Sequence, residues 1–118
     1  NNSSEELLEF IVEDSEEMIL RHILNYPNPF TTRTSFYFEH NRPNQDMDIL
    51  IQIFTVSGKL VKTIEAFLVP DGFRCGPFEW NGLDDYGDKI GKGVYIYRVK
   101  VRVGNEVAEE YQKLVILN

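Results

Sequence analysis

The stretch NGLDDYGDKIGKG crowds four oxygen donors, Asn81, Asp84, Asp85 and Asp88, into eight positions, and such hard ligands are what calcium takes. A calcium loop of the EF-hand type needs donors at its first, third and fifth positions, glycine at the sixth and glutamate at the twelfth, a spacing absent here. Turn chemistry accounts for the same residues. Asp and Asn side chains cap backbone turns, Gly87 and Gly93 admit unusual φ, and Trp80 and Tyr95 can pin the loop's ends to a core. The other reactive group is Cys75, whose thiol becomes a nucleophile only beside a histidine and an orienting carboxylate or amide. The two histidines, His22 and His40, both fall in strand-like segments, so Cys75 reads as a structural thiol. No glycine-rich phosphate loop, metal-spaced histidine set or paired-carboxylate signature accompanies them. The expectation is a non-catalytic chain that uses neither a metal nor a cofactor.

The elements that must hold these residues are strands. SFYFEH sets Phe36 and Phe38 on one face, DILIQIF sets Ile49, Ile51 and Ile53 together, and VYIYRVKVRV does the same for Tyr95, Tyr97, Val99, Val101 and Val103. Turn signals punctuate them at short intervals: NRPNQD, SGK, PDG, NGLDDYGDKIGKG and GN. An all-β antiparallel sandwich follows. Gly104 and Asn105 are the Gly-first pair of a type II′ hairpin, a register that sets Lys100 opposite Glu109. Ser57 and Gly58 mark another hairpin.

A chain of 118 residues builds one core, and no apolar run approaches the roughly 18 to 20 residues that span a bilayer as a helix. The net charge of −7 is unevenly placed. Residues 1–17 hold seven acids (Glu5, Glu6, Glu9, Glu13, Asp14, Glu16, Glu17) and no Lys or Arg, leaving 19 − 7 = 12 acids against 12 bases in residues 18–118. With no basic cluster to displace counterions, nucleic acid is excluded as a partner. The lone cysteine cannot form an internal disulfide.

The acidic leader, residues 1–17, is read apart from the domain proper, residues 18–118. A helix from Ser4 to Leu24 is conceivable behind a Ser4 cap with acids in its first turn, but β-branched Ile11, Val12, Ile19 and Ile23 favour strands, the first over residues 7–12. Starting without methionine and in mid-pattern, the chain reads as a piece of a longer protein. The apolar face of residues 7–12 is then a liability, to be covered by self-association or by pairing with an edge strand.

Between leader and strands lies NYPNPF, residues 25–30. Pro27 and Pro29 fix φ near −65° and push Tyr26 and Asn28 into extended geometry, so the segment is a stiff corner. Tyr26 and Phe30 are expected to anchor on one end of the sandwich, and Asn28 to satisfy loop backbone groups.

YPNPF, then TSFYFEH, IQIFTVSGKLVKTI, FEWNGLDDYGDKIGKGVYIYRVKV and a terminal QKLVIL, in that order, resemble the C-terminal sorting domain of the type IX secretion system of Bacteroidetes. The match runs from about Leu24 to Asn118. The resemblance implies a seven-stranded immunoglobulin-like sandwich that serves as an address. A protein of this kind crosses the periplasm, passes the outer-membrane translocon, meets a shuttle β-barrel and arrives at the cell surface. The family's motif positions fall on Pro27, Asn28 and Pro29, on Gly93 and Tyr95, and on Lys113, Leu114, Val115 and Ile116. FYFEHN, GFRCGPFEWNG and the leader are most similar to the same domain of the system's sortase, a gingipain-like cysteine peptidase. On that likeness residues 7–12 would be the last strand of a preceding immunoglobulin-like domain.

W-N-G-x-D-D-x-G…G-V-Y also resembles the immunoglobulin-like domain of flagellar-hook capping proteins, which implies a structural spacer. The chain end separates the two readings, because KLVILN suits recognition of a free end or an exposed edge strand. A carbohydrate-binding sandwich would need an exposed aromatic platform, and Trp80, the single tryptophan, is expected in the core.

Overall fold

The computed structural model of the chain describes residues 17–117, and within them the sandwich takes form as seven strands. They are β1 (Leu20–Tyr26), β2 (Thr34–His40), β3 (Met47–Thr55), β4 (Leu60–Leu68), β5 (Arg74–Trp80), β6 (Gly93–Val103) and β7 (Glu106–Ile116). All pair antiparallel, in a three-stranded sheet β1-β2-β5 facing a four-stranded sheet β4-β3-β6-β7. The strand expected at residues 7–12 lies outside the described residues.

Period-two patterning sorts the side chains. Phe36, Phe38, Ile49, Ile51, Ile53, Tyr97, Val99 and Val101 are all at most 3% exposed and meet between the sheets. Tyr95, expected with them, is half-buried because it stands near the end of the sandwich. Each fully buried aliphatic side chain contributes about 1.5–3 kcal/mol. Rings run in contact through the core from the corner to β6: Phe30 to Trp80 at 5.7 Å, Trp80 to Phe36 at 6.3 Å, and Phe36 to Tyr97 at 4.8 Å.

The hairpins follow their turn residues. Gly104 has φ 61° while Asn105 does not turn positive, the type II′ combination, and Lys100 pairs with Glu109. Gly58 takes φ 98° in the β3–β4 turn, and its N–H donates to the Thr55 carbonyl at 2.9 Å. The sandwich thus has two ends. The leader end holds Glu17, the loop after β2, the loop before β5 and the β6–β7 turn. The corner end holds residues 25–30, the β3–β4 turn, the loop before β6 and the end of β7.

Candidate docking site

Three sequence-distant motifs meet at the corner end. Residues 27–29 form a bend rather than the extended staple expected, and from it Asn28 projects its amide against the outer edge of β7, donating from Nδ2 to the Lys113 carbonyl at 3.2 Å and accepting at Oδ1 from the Val115 N–H at 3.0 Å. One side chain thereby mimics a strand. Two residues on, the backbone itself takes over. Phe30 N donates to the Val115 carbonyl at 3.1 Å and its carbonyl accepts from Leu117 N at 2.9 Å, a parallel bridge with Ile116. On the other side of β7, Gly93 pairs with Ile116 and Tyr95 with Leu114. Tyr95 Oη donates to the Gly91 carbonyl at 2.8 Å, fastening the loop before β6. Pro27, Asn28, Pro29, Gly93, Tyr95, Lys113, Leu114, Val115 and Ile116 therefore form one constellation.

The corner is held from beneath by a relay absent from the motif reading. Buried Asn25 donates from Nδ2 to Thr34 Oγ1 at 3.1 Å, and that hydroxyl donates to the Pro27 carbonyl at 2.8 Å. Phe30 anchors as expected, 2% exposed against Trp80. Tyr26 does not: it is 71% exposed, because β1 ends there with its side chain clear of the core.

Leu114 and Ile116 point into the core, so Lys113 and Val115 point out. Across the outer face Lys113 ends a row that runs Leu60, Phe54, Ile96, Lys113, with Val94 and Val115 as the next pair. Among the described residues of these two rows Lys113 is the one charge, and Leu60 and Val94 beside it are more than 40% exposed. The alternation of VYIY assigns Val94 and Ile96 to this outer face; that the face is apolar emerges only when β3, β4 and β7 are laid beside it.

The acidic loop before β6 turns its oxygens onto backbone. Asp84 Oδ1 accepts from the N–H groups of Tyr86 (2.9 Å) and Asp88 (2.8 Å), and Asn81 Oδ1 from Leu83 N at 3.1 Å. Trp80 is 2% exposed and its indole donates to the Leu83 carbonyl at 2.9 Å. Asp85 reaches β4: its N–H donates to the Val61 carbonyl at 3.1 Å, Oδ1 accepts from Thr63 N at 3.2 Å, and Lys62 Nζ stands 3.7 Å away. Cys75 is buried with Sγ 3.9 Å from Met47 Sδ, and burial pushes its thiol up to about 11. It has the surroundings of a packing residue. His22 pairs instead with Glu39 at 2.6 Å, and His40 Nδ1 accepts from Arg42 N at 3.0 Å.

No family model matches the chain, and no curated protein does. Among solved structures, the dimeric latent PorU of Porphyromonas gingivalis is similar at 25% identity with a TM-score of 0.75, over 85% of this chain. The chain spans 9% of the length of that protein. The likeness is consistent with a PorU-related domain.

Proposed function

We propose that this domain is a non-catalytic address and docking module of the type IX secretion system. It directs its parent protein through the outer-membrane translocon to the cell surface and engages the shuttle β-barrel there. The parent proposed is the sortase, a gingipain-like cysteine peptidase. The observation that carries the proposal is the convergence at the corner end. The residues to which the family resemblance assigns recognition gather at one end of the sandwich, clamped by Asn28 onto the end of β7, with Leu114 and Ile116 buried beneath and Lys113 and Val115 facing out. A spacer needs a stable sandwich but no such convergence. The likeness to PorU supports the secretion-system assignment at the level of the domain.

Lys113→Ala tests it. Removing one exposed charge is expected to change stability by less than about 0.5 kcal/mol. Surface exposure of the parent in intact cells should fall, as should shuttle-barrel binding, with thermal unfolding of the purified domain unchanged. Deleting residues 113–118 should trap the parent in the periplasm. Normal delivery and binding by both variants would leave the structural spacer as the better reading.

A further inference from the structure

The nucleophile nearest to any asparagine side chain is the backbone nitrogen of the residue that follows. Glycine shields that nitrogen least, having no Cβ. Asn81–Gly82 is the one asparagine–glycine pair in the chain.

The fold arms this pair. Asn81 is exposed, in the loop before β6. Its Oδ1 accepts from Leu83 N at 3.1 Å, which curls the side chain back over the Gly82 amide and sets Cγ beside Gly82 N. The same Leu83 N–H draws electron density from Cγ and meets the negative charge that the oxygen gains on attack, as a backbone donor does in an oxyanion hole. Gly82 N is given to no acceptor among the described residues. Nothing crowds the ring that must close: at Gly82, φ 79°, the nearest atom to an added Cβ would be Phe30 Cε2 at 3.7 Å.

The other described asparagines each lack a part. Asn25 is buried, and Asn28 precedes Pro29, which has no N–H. Arg42 N, next to Asn41, is held by His40 Nδ1 at 3.0 Å. Asn44 and Asn105 are followed by Gln45 and Glu106, whose side chains shield the nitrogen, and neither side-chain oxygen receives an N–H among the described residues.

We infer that Asn81 is a self-modification site, converted by its own backbone in the folded protein. Gly82 N attacks Asn81 Cγ: the N–Cγ bond forms, the Cγ–Nδ2 bond breaks, and ammonia leaves with the proton that Gly82 N gives up. Water then opens the cyclic imide, its hydroxyl joining a carbonyl carbon and its proton returning to Gly82 N. Addition at Cγ leaves aspartate. Addition at the main-chain carbonyl carbon of residue 81 leaves isoaspartate, whose main chain runs through Cβ.

Either product alters the corner end. A new carboxylate takes the net charge to −7 − 1 = −8, on the wall of a pocket of about 130 Å³ that Asn81 shares with Phe30, Lys89 and Ile116. Isoaspartate also lengthens the main chain between buried Trp80 and Leu83, whose carbonyl holds the Trp80 indole. The conversion consumes only water and does not reverse, so its extent dates the molecule. It depends on none of the secretion reading.

Incubation of the 118-residue chain at mildly alkaline pH, native and in urea, tests it by peptide mapping with isoaspartate detection. Residue 81 should convert in the native protein at least as fast as in the unfolded one, with ammonia released in step, while Asn44 and Asn105 stay amides. Gly82→Ala, whose Cβ finds ordinary van der Waals distance, should slow conversion by about tenfold or more. If strain at φ 79° unfolds that variant, the native-against-urea comparison decides alone. Slower conversion in the native protein than in urea overturns the inference, because the fold would then protect the amide. Conversion at Asn44 or Asn105 that keeps pace with Asn81 overturns it as well.

Discussion

Both ends of the Asn28 amide go to one strand, and that makes the residue testable by chemistry as well as by size. Asn28→Ala strands the Lys113 carbonyl and the Val115 N–H at a partly exposed edge, a loss of about 1–2 kcal/mol. Asn28→Asp is nearly isosteric and keeps the acceptor for Val115 N–H, but it turns a carboxylate oxygen toward the Lys113 carbonyl. It should cost at least as much as alanine. Urea unfolding at neutral pH gives the comparison through the midpoint at constant slope. An aspartate variant as stable as the wild type would mean that the clamp adds nothing to the fold. The motif alone marks Asn28 as rigidly presented between two prolines. Its partner is invisible there, because hydrogen bonding to residues 85 and 87 positions later is a property of the assembled sheet pair. Tyr26 shows the same limit in reverse: a large ring beside a proline reads as an anchor, yet the strand ends with that ring in solvent.

At the scale of elements, β5 depends on a residue without a side chain. A Cβ on Gly76 would lie 2.6 Å from the Phe36 carbonyl oxygen and 2.8 Å from Tyr37 Cδ1, and the backbone there sits at φ 127°. Gly76→Ala must therefore push β5 off β2 as well as adopt a strained φ, and should destabilise the domain by more than about 2 kcal/mol. Thermal unfolding would show it, and a variant within about 0.5 kcal/mol of wild type would contradict the close approach. The hairpins β3–β4 and β6–β7 are readable from sequence because two turn residues set their register locally. The partnership of β2 with β5 is not. It skips two intervening strands, and an alternating pattern says which face is buried without saying which sheet buries it. On the four-stranded sheet, both edges are closed at the corner end by an Asx side chain, Asn28 on β7 and Asp85 on β4. A polar residue in a turn gives no sign of that role until the sheets are in place.

For the whole molecule, acid should act through His40. Its ring is buried, burial lowers its pKa, and its neutral Nδ1 accepts from Arg42 N. Unfolded, a histidine titrates near about 6.5, so the stability tied to the neutral ring is fully present above that value and is lost as pH falls through the lower folded pKa. Glu39, held low chiefly by its hydrogen bond from His22, and Glu106, held low by Arg42, act in the same sense but only below about pH 4.3. Thermal midpoints should thus drop between about pH 7 and 5, and His40→Gln, which retains an acceptor and cannot titrate, should flatten that slope. Equal slopes in both proteins would assign the acid sensitivity elsewhere.

The corner clamp also has a consequence in time. Asn28 leaves the ribosome 87 residues before the N–H it must hold, which at about 5–20 residues per second is a wait of roughly 4 to 17 seconds. Through that interval β1 has no β7 beside it, and the corner waits open for a strand not yet made. A chain that stops short of Lys113 keeps every hairpin, the last from Val103 opposite Glu106 to Tyr97 opposite Gln112, yet it never closes the corner. The clamp therefore records whether translation has run through β7.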